Sequence, residues 1–434
     1  MKGFVTFFTC LILAFSASAG DQLLNLHQCV QIALQNNTTL LNAKSALEDQ
    51  RLQTKVSRAG FLPTIGASAE YNHKENKTEI TQFALQGASP YYFERMYSAG
   101  ISLYQTIWDG GQTIANHYKT LADFHAAEFQ LEDTRQMLIY SVEEAYLNLL
   151  KQKQLLKVYQ ETLTSSEEAL KKAESMEAVG ASSHTDVLKA RVKAEDDRLN
   201  LIKAENAVEV AKANLNYLMG LAVTNPVEVM DLDAPEALDL AFEDAVNIAL
   251  ENHPALKKAN YDENSAAHTI AQARSELLPQ LNGNYYFGTY SPRFDDLYQP
   301  FDKQFSWGAG VTLSIRLFDG LATPANIQRA KVGKRAAEDN YQQVRRNVML
   351  EVKAAFLGLE EAKKSIAAAS QRVISAEEDF KLSTAKYQLG AGTILEQIDA
   401  QVALTSAKAQ KIQAEYDYRF AQSRLKKAIG KLKG

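Results

Sequence analysis

A seven-residue apolar step, present twice, constrains this chain more than any other feature. Val142, Leu149, Leu156, Leu163 and Leu170 stand seven apart, and adding 210 to each number gives Val352, Leu359, Ile366, Val373 and Phe380. Such a step lays its members along one seam of a helix with a left-handed supercoil. The two stretches, 115–180 and 325–390, contain no proline, and each ends at a glycine, Gly180 or Gly390. About 65 helical residues run roughly 100 Å. An ordinary globular domain has no use for a helix of that length, so the chain builds something elongated and builds it in duplicate.

The duplication reaches across the chain. Val30-Gln31-Ile32-Ala33-Leu34-Gln35-Asn36 matches Val246-Asn247-Ile248-Ala249-Leu250-Glu251-Asn252, and Leu62-Pro63 matches Leu278-Pro279, at an offset of 216. From Trp108-Asp109-Gly110 against Phe318-Asp319-Gly320 onward the offset is 210, so an insertion falls between Pro63 and Trp108, where loops tolerate one. The expected units are a first repeat over 20–230 and a second over 231–434, after a segment 1–19 of different character. Each repeat opens with two helices, near 23–36 and 38–60 and near 239–252 and 254–276. Pro63 and Pro279 end helicity. Long helical hairpins are expected over 112–219 and 322–430, their return arms at 184–219 and 394–430. The first return arm carries its own seam of Val187, Ala194, Leu201, Val208 and Leu215. Residues 221–238, with Pro226 and Pro235, read as the linker between copies.

Between the helices the period changes from helical to alternating. β-hairpins are expected near 64–108 and 280–318. Phe305, Trp307, Ala309, Val311, Leu313, Ile315 and Leu317 alternate with Ser306, Gly308, Gly310, Thr312, Ser314 and Arg316. Tyr97, Ala99, Ile101, Leu103 and Ile107 alternate with Ser98, Gly100, Ser102, Tyr104 and Thr106. Strands of about ten residues with one apolar and one small or polar face suit a transmembrane barrel. Aromatics near the strand ends (Tyr91, Tyr92, Phe93, Tyr97, Tyr285, Tyr286, Phe287, Trp307) fit its interfacial girdle. A soluble hairpin packed on a core is the alternative. Arg316, on the polar face, would line the lumen or simply be solvated.

Residues 1–19 read as a secretory signal peptide: Lys2, an apolar core Phe4–Phe15 too short to span a bilayer, and Ala17-Ser18-Ala19 for cleavage. Cys10, preceded by Thr9, is a poor lipid-attachment site. Removing Lys2 leaves 46 basic against 52 acidic residues, a formal charge of −6 that argues against a nucleic-acid partner. Cys29 then has no cysteine to pair with, and packing or assembly must supply stability. No apolar run of 18 follows residue 19, so a membrane location requires a β-barrel. Four strands cannot close one, since single-chain bacterial barrels start at about eight strands. Two chains would give eight strands and three would give twelve, the latter wide enough for a modest channel.

These features, in order and in both copies, resemble the TolC family of outer-membrane efflux and secretion channels. The residues that carry the resemblance are Ala33-Leu34-Gln35-Asn36 and Ala249-Leu250-Glu251-Asn252, Leu62-Pro63 and Leu278-Pro279, and the two aromatic-Asp-Gly triplets. The turns Val179-Gly180 to Asp186-Val187 and Tyr387-Gln388-Leu389-Gly390 to Asp399-Ala400 complete it. The resemblance implies a mixed α and β membrane protein. It would be a homotrimer with a twelve-stranded outer-membrane β-barrel, four strands per chain, continued by a long periplasmic α-helical barrel. The implied function is a passive outer-membrane exit duct of a tripartite system in a Gram-negative bacterium. It would carry small molecules in drug or toxic-compound efflux, or secreted protein as in type I secretion. The implied partners are a periplasmic adaptor, an inner-membrane transporter and outer-membrane lipid, without nucleic acid.

By the same resemblance, Asp186 and Tyr387 match gate contacts at the periplasmic mouth, and Gly392 stands where the family's latch arginine would be. Glu396 and Asp399 match two acidic rings, which in a trimer would favour cations. Both could equally be solvated helix residues, and Tyr387 also continues the seam from Val373 and Phe380. The turns around Val179, Gly180 and Ala181 and around Leu389, Gly390 and Ala391 are the implied adaptor-docking tips, although a glycine C-cap serves any helix end. No pair among the seven histidines is three or four apart, and no phosphate loop or nucleophile elbow is present. The reading is a non-enzyme without cofactor or metal. A soluble coiled-coil adaptor is the rival interaction protein; the duplicated membrane-type hairpins and the lack of a lipoyl-like domain count against it.

Overall fold

The computed structural model describes residues 23–77, 91–232, 240–298 and 305–431. The signal-peptide segment, Pro235, and the side chains of Tyr91, Tyr92 and Phe93 lie outside the described residues. Strand β1 (Leu23–Leu24) leads into α1 (Leu26–Asn36) and α2 (Thr38–Ala59). Strands β2 (Thr64–Lys77) and β3 (Tyr91–Trp108) precede α3 (Gln112–Ala178) and α4 (His184–Leu218). After β4 (Glu228–Val229) the order recurs as α5 (Phe242–Asn252), α6 (Pro254–Ser275), β5 (Gln280–Ser291), β6 (Phe305–Ser314), α7 (Ala322–Gln388) and α8 (Ile394–Ala428). α3 and α7 are each 67 residues long, and α4 and α8 each 35.

The chain forms two compact units, each drawn from both halves of the sequence. One comprises Met1–Leu41, Thr134–Asn252 and Met349–Gly434 and is all but helical. Its centre is apolar: Cys29 and Ala33 from α1, Ile139, Val142, Tyr146 and Leu149 from α3, Leu215 from α4, Val352 from α7 and Leu425 from α8 are all buried. Sequence reasoning found no strand here, yet Leu23–Leu24 pairs in parallel with Glu228–Val229. The Tyr146 hydroxyl donates to the Met230 carbonyl at 2.6 Å and lies 3.1 Å from that of Leu24, and burial pushes it up to about 12. The Glu228 carboxylate accepts from Lys153 and Lys212, and the Lys153 ammonium in particular holds it below the usual carboxylate range. Two long-range partners thus fasten the linker, which a short apolar pattern could not announce.

The seams hold unevenly. Val352, Leu359 and Val373 are buried, and Ile366 and Phe380 are half-buried. In the first copy Val142 and Leu149 are buried, whereas Leu156, Leu163 and Leu170 are only half-buried. There the buried line passes through Val158, Thr162, Ser166 and Ala173. A straight helix drifts about 20° per heptad against a 7-residue repeat, so another face turns inward unless supercoiling absorbs the drift.

The second unit comprises Asn42–Asp133 and His253–Val348. It carries an antiparallel sheet in the order β2-β3-β5-β6. Two expectations need correction. β2 and β3 span 14 and 18 residues rather than about ten, because their pairing continues from Thr64↔Tyr104 out to Lys77↔Tyr91. β6 ends at Ser314, so Arg316 lies beyond the strand and pairs with Glu276 at 3.9 Å. The register aligns one face across all four strands: Ala67, Ile101, Phe287 and Trp307 lie in one row, and Ile65, Leu103, Tyr285 and Ala309 in the next. The opposite face aligns Gly66, Ser102, Tyr286 and Gly308, then Thr64, Tyr104, Asn284 and Gly310. The apolar face is open, with Ile65, Val311, Leu313 and Trp307 each more than half exposed. Among the described residues, β2 and β6 each leave one edge unpaired. No described helix is long and apolar enough to cross a membrane.

Candidate functional site

The ends of the two helical hairpins, both within the first unit, are built alike. α3 closes with Gly180 N–H donating to the Glu177 carbonyl at 2.8 Å and Ala181 N–H to that of Met176 at 2.8 Å. α7 repeats this with Gly390 to Tyr387 at 3.1 Å and Ala391 to Lys386 at 2.9 Å. This Schellman pattern requires a left-handed residue, and Gly180 and Gly390 have φ of +74° and +70°. Val179 and Leu389 beside them are 78% and 83% exposed. Each tip thus presents an apolar residue on a turn whose backbone is already satisfied, and neither glycine has a neighbour within 4 Å of where a Cβ would stand.

The acidic residues sit on the return arms. Ser183 caps α4, its hydroxyl accepting from Asp186 N–H at 3.2 Å, while Ser183 N–H and the Ser182 hydroxyl donate to Asp186 Oδ2, each at 3.4 Å. Thr393 caps α8 in the same way, accepting from Glu396 N–H at 3.3 Å. Asp186 and Glu396 therefore occupy the third position of a helix, where a carboxylate complements the helix dipole. Ser183-x-x-Asp186 and Thr393-x-x-Glu396 are legible capping signatures that sequence reasoning passed over. Glu396 and Asp399 are both exposed, and both flank the buried Gln397.

Tyr387 is elsewhere in character. It is 6% exposed and packs in a cluster with Ala173, Val187, Ala190 and Ile394. Among the described residues its hydroxyl is buried without a hydrogen-bond partner, as are Thr384 Oγ1 and Gln397 Oε1. Tyr387 and Asp186 thus face different partners: one the cluster, the other its own cap. Gly392 leaves room that a larger residue would contest, since a Cβ there would lie 3.0 Å from Lys386 Cβ and 3.1 Å from Glu396 Oε2. Away from the tip the packing becomes polar. Gln401 donates to the Thr162 carbonyl at 3.1 Å, and Thr162 and Thr405 hydroxyls meet at 3.1 Å. Lys193 pairs with the buried Asp197. A buried ion pair of this kind contributes little net stability, because desolvation offsets the attraction. Among the described residues no group of three His, Cys, Asp or Glu could hold a metal ion.

Comparison with known proteins identifies the family. The model of the family described as outer membrane efflux protein matches residues 29–221 and 245–431. The chain is 25% identical over 436 residues to the outer membrane protein TolC of Escherichia coli (96% of this chain, 84% of the relative). It is 24% identical over 403 residues to the outer membrane efflux protein BepC of Brucella suis (92% and 84%). Among solved structures, a membrane protein from Pseudomonas aeruginosa superposes with a TM-score of 0.85 at 24% identity (93% and 92%). The Campylobacter jejuni CmeC outer membrane channel superposes at 0.84 and 20% (93% and 85%). The structural likenesses carry the fold, and the match of the family model to both halves carries the identity. The chain belongs to the outer membrane efflux protein family, as a TolC-type outer-membrane exit duct.

Proposed function

We propose that three copies assemble into one duct, their sheets closing a twelve-stranded barrel and their helical hairpins a tunnel on the same axis. The observation that carries this is the four-stranded sheet, with one apolar face and, among the described residues, both edges unpaired. An open edge in lipid leaves backbone groups unsatisfied at several kcal/mol each, so further copies must complete the sheet. On this reading Ile65, Ile101, Phe287 and Trp307 face lipid, and Ser102, Asn284 and Tyr286 face water, so Tyr286, on the polar face, is not part of the interfacial girdle expected of it. The tips at Val179–Ala181 and Leu389–Ala391 dock a periplasmic adaptor, which joins the duct to an inner-membrane transporter that supplies the energy. Cargo is a small toxic compound or a secreted protein.

Glu396 and Asp399 narrow the mouth with two rings of three carboxylates and favour cations there. Asp186 and Tyr387 hold the neighbouring coils together through cap and core. Single-channel current in planar bilayers tests the reading, comparing the parent with Glu396→Gln plus Asp399→Asn. The parent gives a small, cation-preferring conductance, and the double variant loses that preference. A parent that conducts with a variant of equal preference removes the ring assignment. A folded parent that never conducts and fractionates as a soluble protein removes the barrel and returns the adaptor reading to first place.

A further inference from the structure

The second unit contains a cavity of about 380 Å³ at the foot of the polar sheet face, where β3 and β5 meet the start of α3 and the end of α6. Its wall includes Tyr104, Gln112, Asn116, Gln272, Gln280 and Asn282. Thr106, Thr113 and Asp109 complete it, and no lining residue lacks a hydrogen-bonding side chain. Asp109, the one ionisable carboxylate, is already engaged: it accepts from Gly111 N–H at 3.1 Å, Thr113 N–H at 2.8 Å and the Thr113 hydroxyl at 2.5 Å. The remaining groups are amides and hydroxyls, which both donate and accept. Gln272 and Asn116 are oriented by a bond of 2.9 Å between their amides.

The duplication separates what the fold needs from what this cavity adds. Asp109 and Thr113 recur as Asp319 and Thr323 with the same bonds, Thr323 N–H and hydroxyl donating to Asp319 at 2.9 and 2.5 Å. Asn116 recurs as Asn326. The other amides do not recur: Ala322 stands at the position of Gln112, Val56 at Gln272, Thr64 at Gln280 and Gly66 at Asn282. Asp319 and Thr323 thus build their turn beside Ala322, and the first repeat carries Val56, Thr64 and Gly66 in place of the second repeat's amides, so local folding does not account for the amides.

We propose that this cavity is a binding site for an uncharged, polyhydroxylated solute, a sugar unit, on the lumenal wall of the duct. Apart from Asp109, whose carboxylate is engaged by Gly111 and Thr113, the wall offers uncharged paired donors and acceptors, and the half-exposed Tyr104 ring offers an apolar surface for a sugar face. The volume lies within the roughly 300–1,000 Å³ range of small-molecule sites. The proposal rests on the reading that the polar sheet face borders water inside a barrel.

The test uses the full chain purified in a detergent without a sugar headgroup, with maltotriose as the probe. Calorimetric titration shows saturable binding, and Gln112→Ala with Gln280→Thr, the residues of the other copy, weakens it about tenfold or more. In bilayers the parent current shows interruptions whose frequency rises with maltotriose, and the same double variant loses them. Glu396→Gln with Asp399→Asn leaves maltotriose binding unchanged. No binding by the parent, or equal binding by the Gln112/Gln280 variant, overturns the proposal. A protein that binds maltotriose but never conducts refutes the duct assembly alone, and one that conducts without binding refutes the cavity alone.

Discussion

Replacing Tyr387 with Phe separates two accounts of the tip by sign. The side chain is 6% exposed against Ala173, Val187, Ala190 and Ile394, and its hydroxyl meets no partner among the described residues. A buried, unsatisfied polar group costs about 1–3 kcal/mol, so deleting the oxygen while keeping the ring stabilises the closed tip by about 1 kcal/mol. That is about fivefold less local opening. Hydrogen exchange of the amides around Tyr387 and Ile394 reads this opening directly. Tyr387→Ala has the opposite effect, since losing a buried ring costs about 3–5 kcal/mol and leaves a cavity that Ala173 and Ala190 cannot fill. The expected result is slower tip exchange in Tyr387→Phe, with unchanged conductance, and fast exchange with a wider mouth in Tyr387→Ala. Faster exchange and higher current in Tyr387→Phe would refute the reasoning. The hydroxyl would then hold a bond in the assembled duct, and Tyr387 would act as a hydrogen-bonding latch.

Gly390→Ala lowers thermal stability by about 1–2 kcal/mol from its left-handed backbone alone, whereas Gly220→Ala costs more; at Gly220 a Cβ would stand 2.6 Å from the Asn36 carbonyl, and paired melting curves decide the order. Cys29 is fully buried, and burial pushes its thiol up to about 12, so a maleimide labels it only after denaturation. The Glu228 carboxylate is held below the usual range, so the stability it contributes is complete above the ordinary carboxylate pKa and is lost as pH falls through the depressed native value. Acid titration of thermal stability is therefore steeper in the parent than in Glu228→Gln, and identical slopes would show the Lys153 and Lys212 pairs to be idle. Asp109→Ala removes the acceptor of three bonds at the start of α3 and lowers stability by about 1 kcal/mol, measured by the same melts.

Much of this protein is set by local chemistry that one sequence displays. Helical length followed from the lack of proline between Gly111 and Gly180, and the turns followed from glycines that alone relieve left-handed strain. The alternation at Phe305–Ser314 marked a two-faced strand because side-chain period is a backbone property. The tertiary structure decided what depends on distant partners. The parallel pairing of β1 with β4 and the closure of Tyr146 over it join residues more than 80 apart, with only two residues per strand to signal them. Strand length depended on how far β2 and β3 stay paired, not on composition. The burial of Tyr387 and the engagement of Asp186 by its own cap were open because a helical residue's pattern names a face, and only packing says what that face meets. The amide-lined cavity was hidden for the same reason: Gln112, Gln272 and Gln280 each read as solvated polar residues, and only the meeting of β3, β5, α3 and α6 makes them one surface.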